Sequence, residues 1–521
     1  MNSTRTIALL QILLFACFDA PAQLSVPKVI GNNMVLQRNG PVPIWGYAKP
    51  GEQVTVIFNH QEKNTTTGSN GYWRATLDPM QASATPEKLF IKTIDNTVVL
   101  ENILVGEVWL CSGQSNMEYT MRKNSKVTVP EGVTGWPVNE LETAHNKDIR
   151  IFLADRKKMK PDSLHRGWDT AEDDALRSFS AVGYFFAKKL YSELHVPIGM
   201  IASAVPGSRI EPWMPEEAFM ALPFFTHHTG AAHKIDGEPG KFYETMIAPL
   251  APFAIKGFLW YQGESNCFLN DRLQYAYKMK ALINYWRKIW DNNALPFYYV
   301  QIAPFAYSKA TGSLSYTAES LPEFWEVQAL ALKIPNTAMV TTTDLNFDLD
   351  NLHPHFKWEV GRRLALCALA GAYGRKDIVP MGPMYKKMKI QGNKVVIDFT
   401  YKGGGLISHD GKPLNGFAIA GADGRFVAAQ TIINNNKVQV SAAGVQHPAA
   451  VRFGWNEAAH PNLYNKEGYL PFLSERITRL KNNLSKHEDR IENSIIAFII
   501  FSVAGNRSAN GNKIPVGPRQ R

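Results

Sequence analysis

The chain is poor in cysteine: four among 521 residues, Cys17, Cys111, Cys267 and Cys367, with no CxxC spacing. Neither a disulfide framework nor a zinc site is indicated. Cys111, Cys267 and Cys367 read as small buried hydrophobes. Long apolar runs are scarce as well. Ile7 to Phe18 follows Arg5 and precedes Ala20-Pro21-Ala22, the layout of a secretory leader cleaved near Ala22. Leu14-Phe15-Ala16-Cys17 fits a lipoprotein box poorly because of Phe15. Ile495 to Val503 is too short to cross a bilayer. These features predict an exported protein, periplasmic or extracellular, without a membrane span.

A dense basic face is missing too. The net charge is +10, but Thr478 to Arg521 holds eight Lys/Arg against three Asp/Glu and so supplies half of it. Nucleic acid is therefore not an expected partner. Gly403-Gly404-Gly405 lacks the strand-helix context of a phosphate loop. Asp344 to Asp350 opens like a calcium loop, yet Leu349 stands where glycine is needed and His355 where glutamate is needed. His353-Pro354-His355 has no evident third ligand. No metal and no cofactor is expected.

Aromatic residues are plentiful, with 12 Trp and 19 Tyr; most suit a core, and some would suit flat sugar faces. The pattern divides the body. After a leader of residues 1–22, residues 23–102 carry short strands between Gly, Pro and Asn clusters, the mark of a small β-sandwich. Residues 103–379 alternate strands and helices. Strands are predicted at Ile103–Leu110, Ile149–Leu153, Ile198–Ala202, Gly257–Tyr261, Phe297–Ile302 and Ala338–Thr342. Phe179, Val182, Phe186 and Leu190 share one helical face, capped by Ser178 or Ser180, and a second helix runs from Asp271 to Ile289. Such alternation gives a mainly parallel sheet covered on both faces, with ligands at the carboxyl ends of its strands. Residues 380–477 return to short strands, and residues 478–521 form a basic, weakly ordered tail.

The run Ile103 to Leu110 empties into Cys111-Ser112-Gly113-Gln114-Ser115-Asn116-Met117. Glycine permits a sharp turn there, and a serine beyond a central strand is placed for nucleophilic attack if a base lies nearby. A plain polar turn is the alternative, and Ser112 is the local competitor. Gly113-Gln114-Ser115-Asn116-Met117 resembles the nucleophile block of the sialate O-acetylesterase family, a branch of the SGNH-type hydrolases. Trp260 to Asn266 resembles its Gln-Gly-Glu block, and Asp350-Asn351-Leu352-His353-Pro354 its Asp-x-x-His block. Three ordered blocks between about Val26 and Ile477 carry the resemblance.

The resemblance implies an α/β fold, an SGNH-like three-layer α/β/α domain flanked by N-terminal and C-terminal β-sandwich-like domains. It implies a carbohydrate O-acetylesterase with Ser115 as nucleophile, His353 as base and Asp350 orienting the histidine; Asp344, Asp348 and Glu264 are minor rivals for the acid. The oxyanion donors are expected to be the amides of Ser115 and Gly207 with Gln262 or Asn266. Pro206 departs from the family's glycine block. Arg209 could fork onto a sugar carboxylate and Trp213 could stack on the ring, with Glu264 in the same neighbourhood, tying the loop. An O-acetylated sialic acid is the favoured substrate, and the mildly basic body slightly favours that anionic sugar. An acetyl esterase for xylan or another polysaccharide is the nearest alternative. A non-catalytic carbohydrate-binding protein is the alternative of another class.

Overall fold

The computed structural model describes residues 23–129, 135–163, 165, 167–226, 235–311, 314–471 and 474–477, the last four by backbone alone. The expected leader and the basic tail with its apolar run lie outside the described residues. No helix among those described is long and apolar enough to cross a membrane.

The core is a seven-stranded sheet, its strands labelled in chain order: β1 (Thr97–Gly113), β2 (Asn146–Leu153), β3 (Trp168–Ala171), β4 (Ile198–Ala204), β5 (Gly257–Tyr261), β6 (Phe297–Val300) and β7 (Thr337–Val340). The spatial order is β7-β6-β5-β1-β4-β2-β3. All neighbours are parallel except β3, which runs antiparallel on the edge. β4, β5 and β6 are buried along their whole length. That explains their unbroken apolar sequences, since a strand covered on both faces has no solvent side.

Three long helices cover the two faces: α1 (Ala181–Leu194), α2 (Arg272–Ile289) and α3 (Lys357–Gly371). On one face Trp109 of β1 meets Phe186 of α1, with centroids 5.1 Å apart, and stacks on Tyr298 of β6. α3 crosses α1 closely: a Cβ at Gly361 would lie 2.7 Å from the Val182 carbonyl oxygen. On the other face Phe258 and Phe297 surround Trp286 of α2. Of the two serines offered as caps, Ser180 takes the role, accepting from Gly183 N at 3.1 Å. Its hydroxyl also donates to the Met117 carbonyl at 2.6 Å, which fastens α1 to the turn after β1.

β1 does double duty. Its first half pairs with Ser83–Lys92, and residues 104–106 pair with Val35–Gln37; its second half lies between β4 and β5. The boundary expected at 102/103 thus falls inside one continuous strand. The N-terminal strands Gln53–Phe58 and Tyr72–Leu77 alternate buried and accessible residues, as one-sided sheets do. Trp168 Nε1 donates to the Val29 carbonyl at 2.8 Å across this junction. Beyond residue 380 come separate antiparallel sheets. Arg452 pairs with Glu319 at 2.9 Å, and Ser308 N donates to Glu457 at 3.0 Å, joining them to the central unit.

Several elements, among them α3, the edge strand β3 and the helix Ser320–Ala329, are not among those the sequence predicts. α3 is missed because buried Lys357, Glu359 and Arg363 interrupt the apolar face. Arg363 is held by a two-pronged contact to Asp344 at 2.6 and 2.8 Å and by Glu359 at 2.8 Å. Charges paired that way can be buried, but the pairing is invisible along the chain. The edge strand β3 is too short to show a period.

Candidate active site

The site forms where β1, β4 and β5 end. Gly113 closes β1 with φ +135°, and a Cβ there would lie 2.2 Å from the Tyr261 carbonyl oxygen. Only glycine fits that approach. Gln114 N then donates to the same carbonyl at 3.0 Å, and Ser115 opens a single helical turn, Ser115–Glu118. Ser112 stays inside the sheet, in register with Ser203 and Trp260, and is fully buried. It is closed to any substrate.

His353 arrives from the loop after β7. Its Nε2 lies 2.9 Å from Ser115 Oγ, placed for the hydroxyl to donate. The imidazole pKa is lowered, first by burial and then by the charges of Lys357, Lys123 and His355. The ring therefore rests neutral, the form a general base needs. Its backbone N donates to Asn351 Oδ1 at 2.9 Å. His355, the neighbouring histidine, contacts Tyr119 OH through Nδ1 and Asn351 Nδ2 through Nε2.

Asp350 makes no hydrogen bond to His353. Its carboxylate takes a 2.9 Å contact from Lys309 Nζ, with both side chains mostly exposed. No carboxylate among the described residues hydrogen-bonds the His353 ring. Asp344 is committed to Arg363, and Asp348 accepts from Asp350 N. A triad acid that holds the imidazole is worth about 10⁴ in turnover. Asp350→Asn is expected to lower kcat by less than about ten-fold, the scale of a surface pair. A loss near 10⁴ in steady-state assays would instead show that Asp350 swings onto His353 during the reaction.

The expected oxyanion donors separate into two groups. Ser115 stands first in its helical turn, where the amide has no intrahelical acceptor. Gly207 sits in an exposed left-handed turn at φ +71°. Its loop is pinned beside the nucleophile, since Val205 N donates to the Gly113 carbonyl at 3.0 Å and Ser265 Oγ to the Gly207 carbonyl at 3.1 Å. Neither amide donates to an acceptor among the described residues. The side-chain amides of Gln262 and Asn266 are spent, because each NH₂ has two protons to give and both are used. Gln262 Nε2 donates to the Ser208 carbonyl and to Asn266 Oδ1. Asn266 Nδ2 donates to Glu211 and Asp271.

The three residues assigned to substrate are also employed elsewhere. Arg209 pairs with Asp236 at 3.3 Å and Glu211 at 3.4 Å. Trp213 is fully buried, donates to Ser208 Oγ and packs edge-on against Trp260. Glu264 is buried, accepts from Asn116 Nδ2, and has a pKa raised by burial. It joins two loops rather than facing solvent.

Sequence reasoning left out the residues that hold these loops together. Gln114 Oε1 accepts from Gly263 N and Ser265 N at 3.4 Å each. Asn116 Nδ2 donates to Glu264 and to the Leu352 carbonyl, while Asn116 Oδ1 accepts from Lys357 Nζ. Gln114 and Asn116 stand within the recognised block, so their proximity was available as a signal. Lys357 also had one: a lysine in the first turn of a helix opposes the macrodipole. A further knot lies behind Gly207. Lys278 Nζ bridges Glu211 at 2.8 Å and Asp271 at 2.5 Å, all three buried.

A family model described as carbohydrate esterase, sialic acid-specific acetylesterase, matches residues 105–370. The human sialate O-acetylesterase is 29% identical over 430 residues, covering 75% of this chain and 79% of that protein. The sialate O-acetylesterase of Pongo abelii is 30% identical over 425 residues with the same coverage. The crystal structure of a carbohydrate acetylesterase from Xanthomonas citri superposes with a TM-score of 0.76 at 31% identity, covering 88% of this chain and all of that one.

Proposed function

Since this chain belongs to the sialic acid-specific acetylesterase family of carbohydrate esterases, we propose that it removes O-acetyl groups from sialic acids by acyl transfer through Ser115. The observation that carries the mechanism is the 2.9 Å approach of Ser115 Oγ to the neutral His353 Nε2. In the first step Oγ attacks the acetyl carbonyl carbon while His353 takes the hydroxyl proton. The amides of Ser115 and Gly207 receive the oxyanion as it forms. The sugar oxygen then leaves with the proton from His353, and acetyl-Ser115 remains. Water attacks that ester with His353 again as base, and acetate departs as Ser115 regains its proton.

The charges that depress His353, Lys123 among them, put positive charge near the imidazole, with Lys123 also 3.7 Å from Glu118. Such charge concentrates an anionic sugar at the site. Arg209 is not required for this. We expect acetate release from O-acetylated N-acetylneuraminic acid to exceed that from acetylated xylan by at least about ten-fold in kcat/KM, the scale of a pocket preference. The preference should shrink as salt rises, because screening weakens exposed charges. Equal rates on the two substrates, unchanged by salt, would refute the sialate assignment while leaving the esterase chemistry standing. Export belongs to the same proposal and rests on the leader-like Met1 to Gln23. Amino-terminal sequencing of the secreted protein checks it, with cleavage near Ala22 expected.

A further inference from the structure

We propose that Lys357 is a positioning residue for the Ser115–His353 pair, its ammonium joining the nucleophile turn to the histidine loop through Asn116 Oδ1 and the Pro354 carbonyl. The inference rests on the acyl-transfer reading above. Both contacts are 2.7 Å, and Lys357 is 0% exposed. The rings of Tyr119 and Tyr261 lie 4.9 and 5.4 Å from its nitrogen. Asn116 supplies the second arm, since its Nδ2 donates to the Leu352 carbonyl at 3.1 Å. The carbonyls on either side of His353 are thus both held, and both holds pass through Asn116 or its partner Lys357. Where no carboxylate orients the ring, the backbone clamp must set the imidazole's place. Losing that place by about 1 Å is worth about 10²-fold in rate.

The clamp has an electrostatic consequence. Burial pushes the Lys357 ammonium down to about 7, while Glu264 pulls it back up. Below that pH Lys357 is charged, and beside Lys123 and His355 it resists a further positive charge on His353. The groups acting on His353 are Lys357, Lys123, His355 and Ser115, and His355 itself has its pKa lowered by burial and by Lys357. Those acting on Lys357 are Glu264, His353, His355, Asn116, the Pro354 carbonyl and the two tyrosine rings. Removing the ammonium raises the pKa of His353. Activity needs the neutral imidazole, so the acid limb of kcat/KM must then move to higher pH.

The experiment uses Lys357→Met and Asn116→Ala in the full chain, with an aryl acetate across a pH series and thermal melts alongside. For Lys357→Met we expect kcat to fall about 10²-fold with KM within about two-fold, and the acid limb to shift upward. For Asn116→Ala we expect a comparable fall in kcat with the limb in place, because the lysine charge remains. A folded Lys357→Met enzyme with unchanged kcat, or with its acid limb unmoved, overturns the proposal. Should Lys357→Met not fold, unchanged kcat in Asn116→Ala overturns it. Ser115→Ala separates the two readings: if that variant keeps its turnover, it is the acyl-transfer reading that fails.

Discussion

Ser115→Ala lowers kcat on an aryl acetate by about 10⁴-fold or more, the usual consequence of deleting a serine nucleophile. The fold is expected to be indifferent to the change. Among the described residues Ser115 Oγ hydrogen-bonds to His353 alone, and the turn is set by Gly113 and by Gln114 rather than by the hydroxyl. The melting midpoint should therefore stay where it is, within the small range of changes that disturb no packing. Ser112→Ala is the control. Its hydroxyl is sealed in the sheet, so turnover should persist. Turnover retained in Ser115→Ala and lost in Ser112→Ala would reverse the assignment.

Lys278→Met is expected to produce the largest loss of stability. The ammonium lies between Glu211 and Asp271, both buried. Methionine keeps the volume and leaves two carboxylates without their cation; among the described residues only Arg209, at 3.4 Å from Glu211, still pairs with either of them. Breaking a buried pair from one side costs about 3–5 kcal/mol. The pH dependence identifies the cause. Asp271 already has its pKa raised by burial, and losing Lys278 raises it further. A carboxyl whose folded pKa exceeds its unfolded value binds more protons when folded, so stability rises as pH falls. The deficit of Lys278→Met should thus shrink in mild acid, as read by denaturant or thermal unfolding at several pH values. A deficit independent of pH would point to packing instead. Activity should suffer too, because Asn266 ties this knot to Ile210 N at 3.0 Å and so to the loop of Gly207.

Several parts of this arrangement can be read along the chain. β4 and β5 announce themselves as apolar runs, and α2 shows its face through Tyr275, Met279, Leu282 and Trp286. Ser115 and His353 are marked by their blocks, and the structure brings them together. What the chain hides is which polar side chains face inward. Gln262, Asn266 and Arg209 carry groups suited to a substrate, yet each commits them to a neighbour distant in sequence, while Trp213 is sealed in the core with its N–H on Ser208. Gln262 sits beside Ser208 and Arg209 beside Asp236 only after folding. Asp350 stands three residues before His353, the offset expected of a triad acid, but its chain direction carries it to Lys309. Lys357 and Arg363 disguise α3 because charged residues predict solvent, and their partners Asn116 and Asp344 come from other loops. Local pattern thus finds elements and nucleophile, while the allocation of hydrogen bonds is a property of the assembled loops.

The central claim is that acetate leaves by way of an ester on Ser115. Acid-quenching the enzyme during turnover of an aryl acetate, then mapping its peptides by mass spectrometry, tests this directly. One acetyl group is expected on the peptide containing Ser115, with none in Ser115→Ala and with hydrolysis slowed when His353 is replaced. An acetyl group on another side chain, or rapid turnover with no acyl-enzyme formed at any stage, contradicts the account.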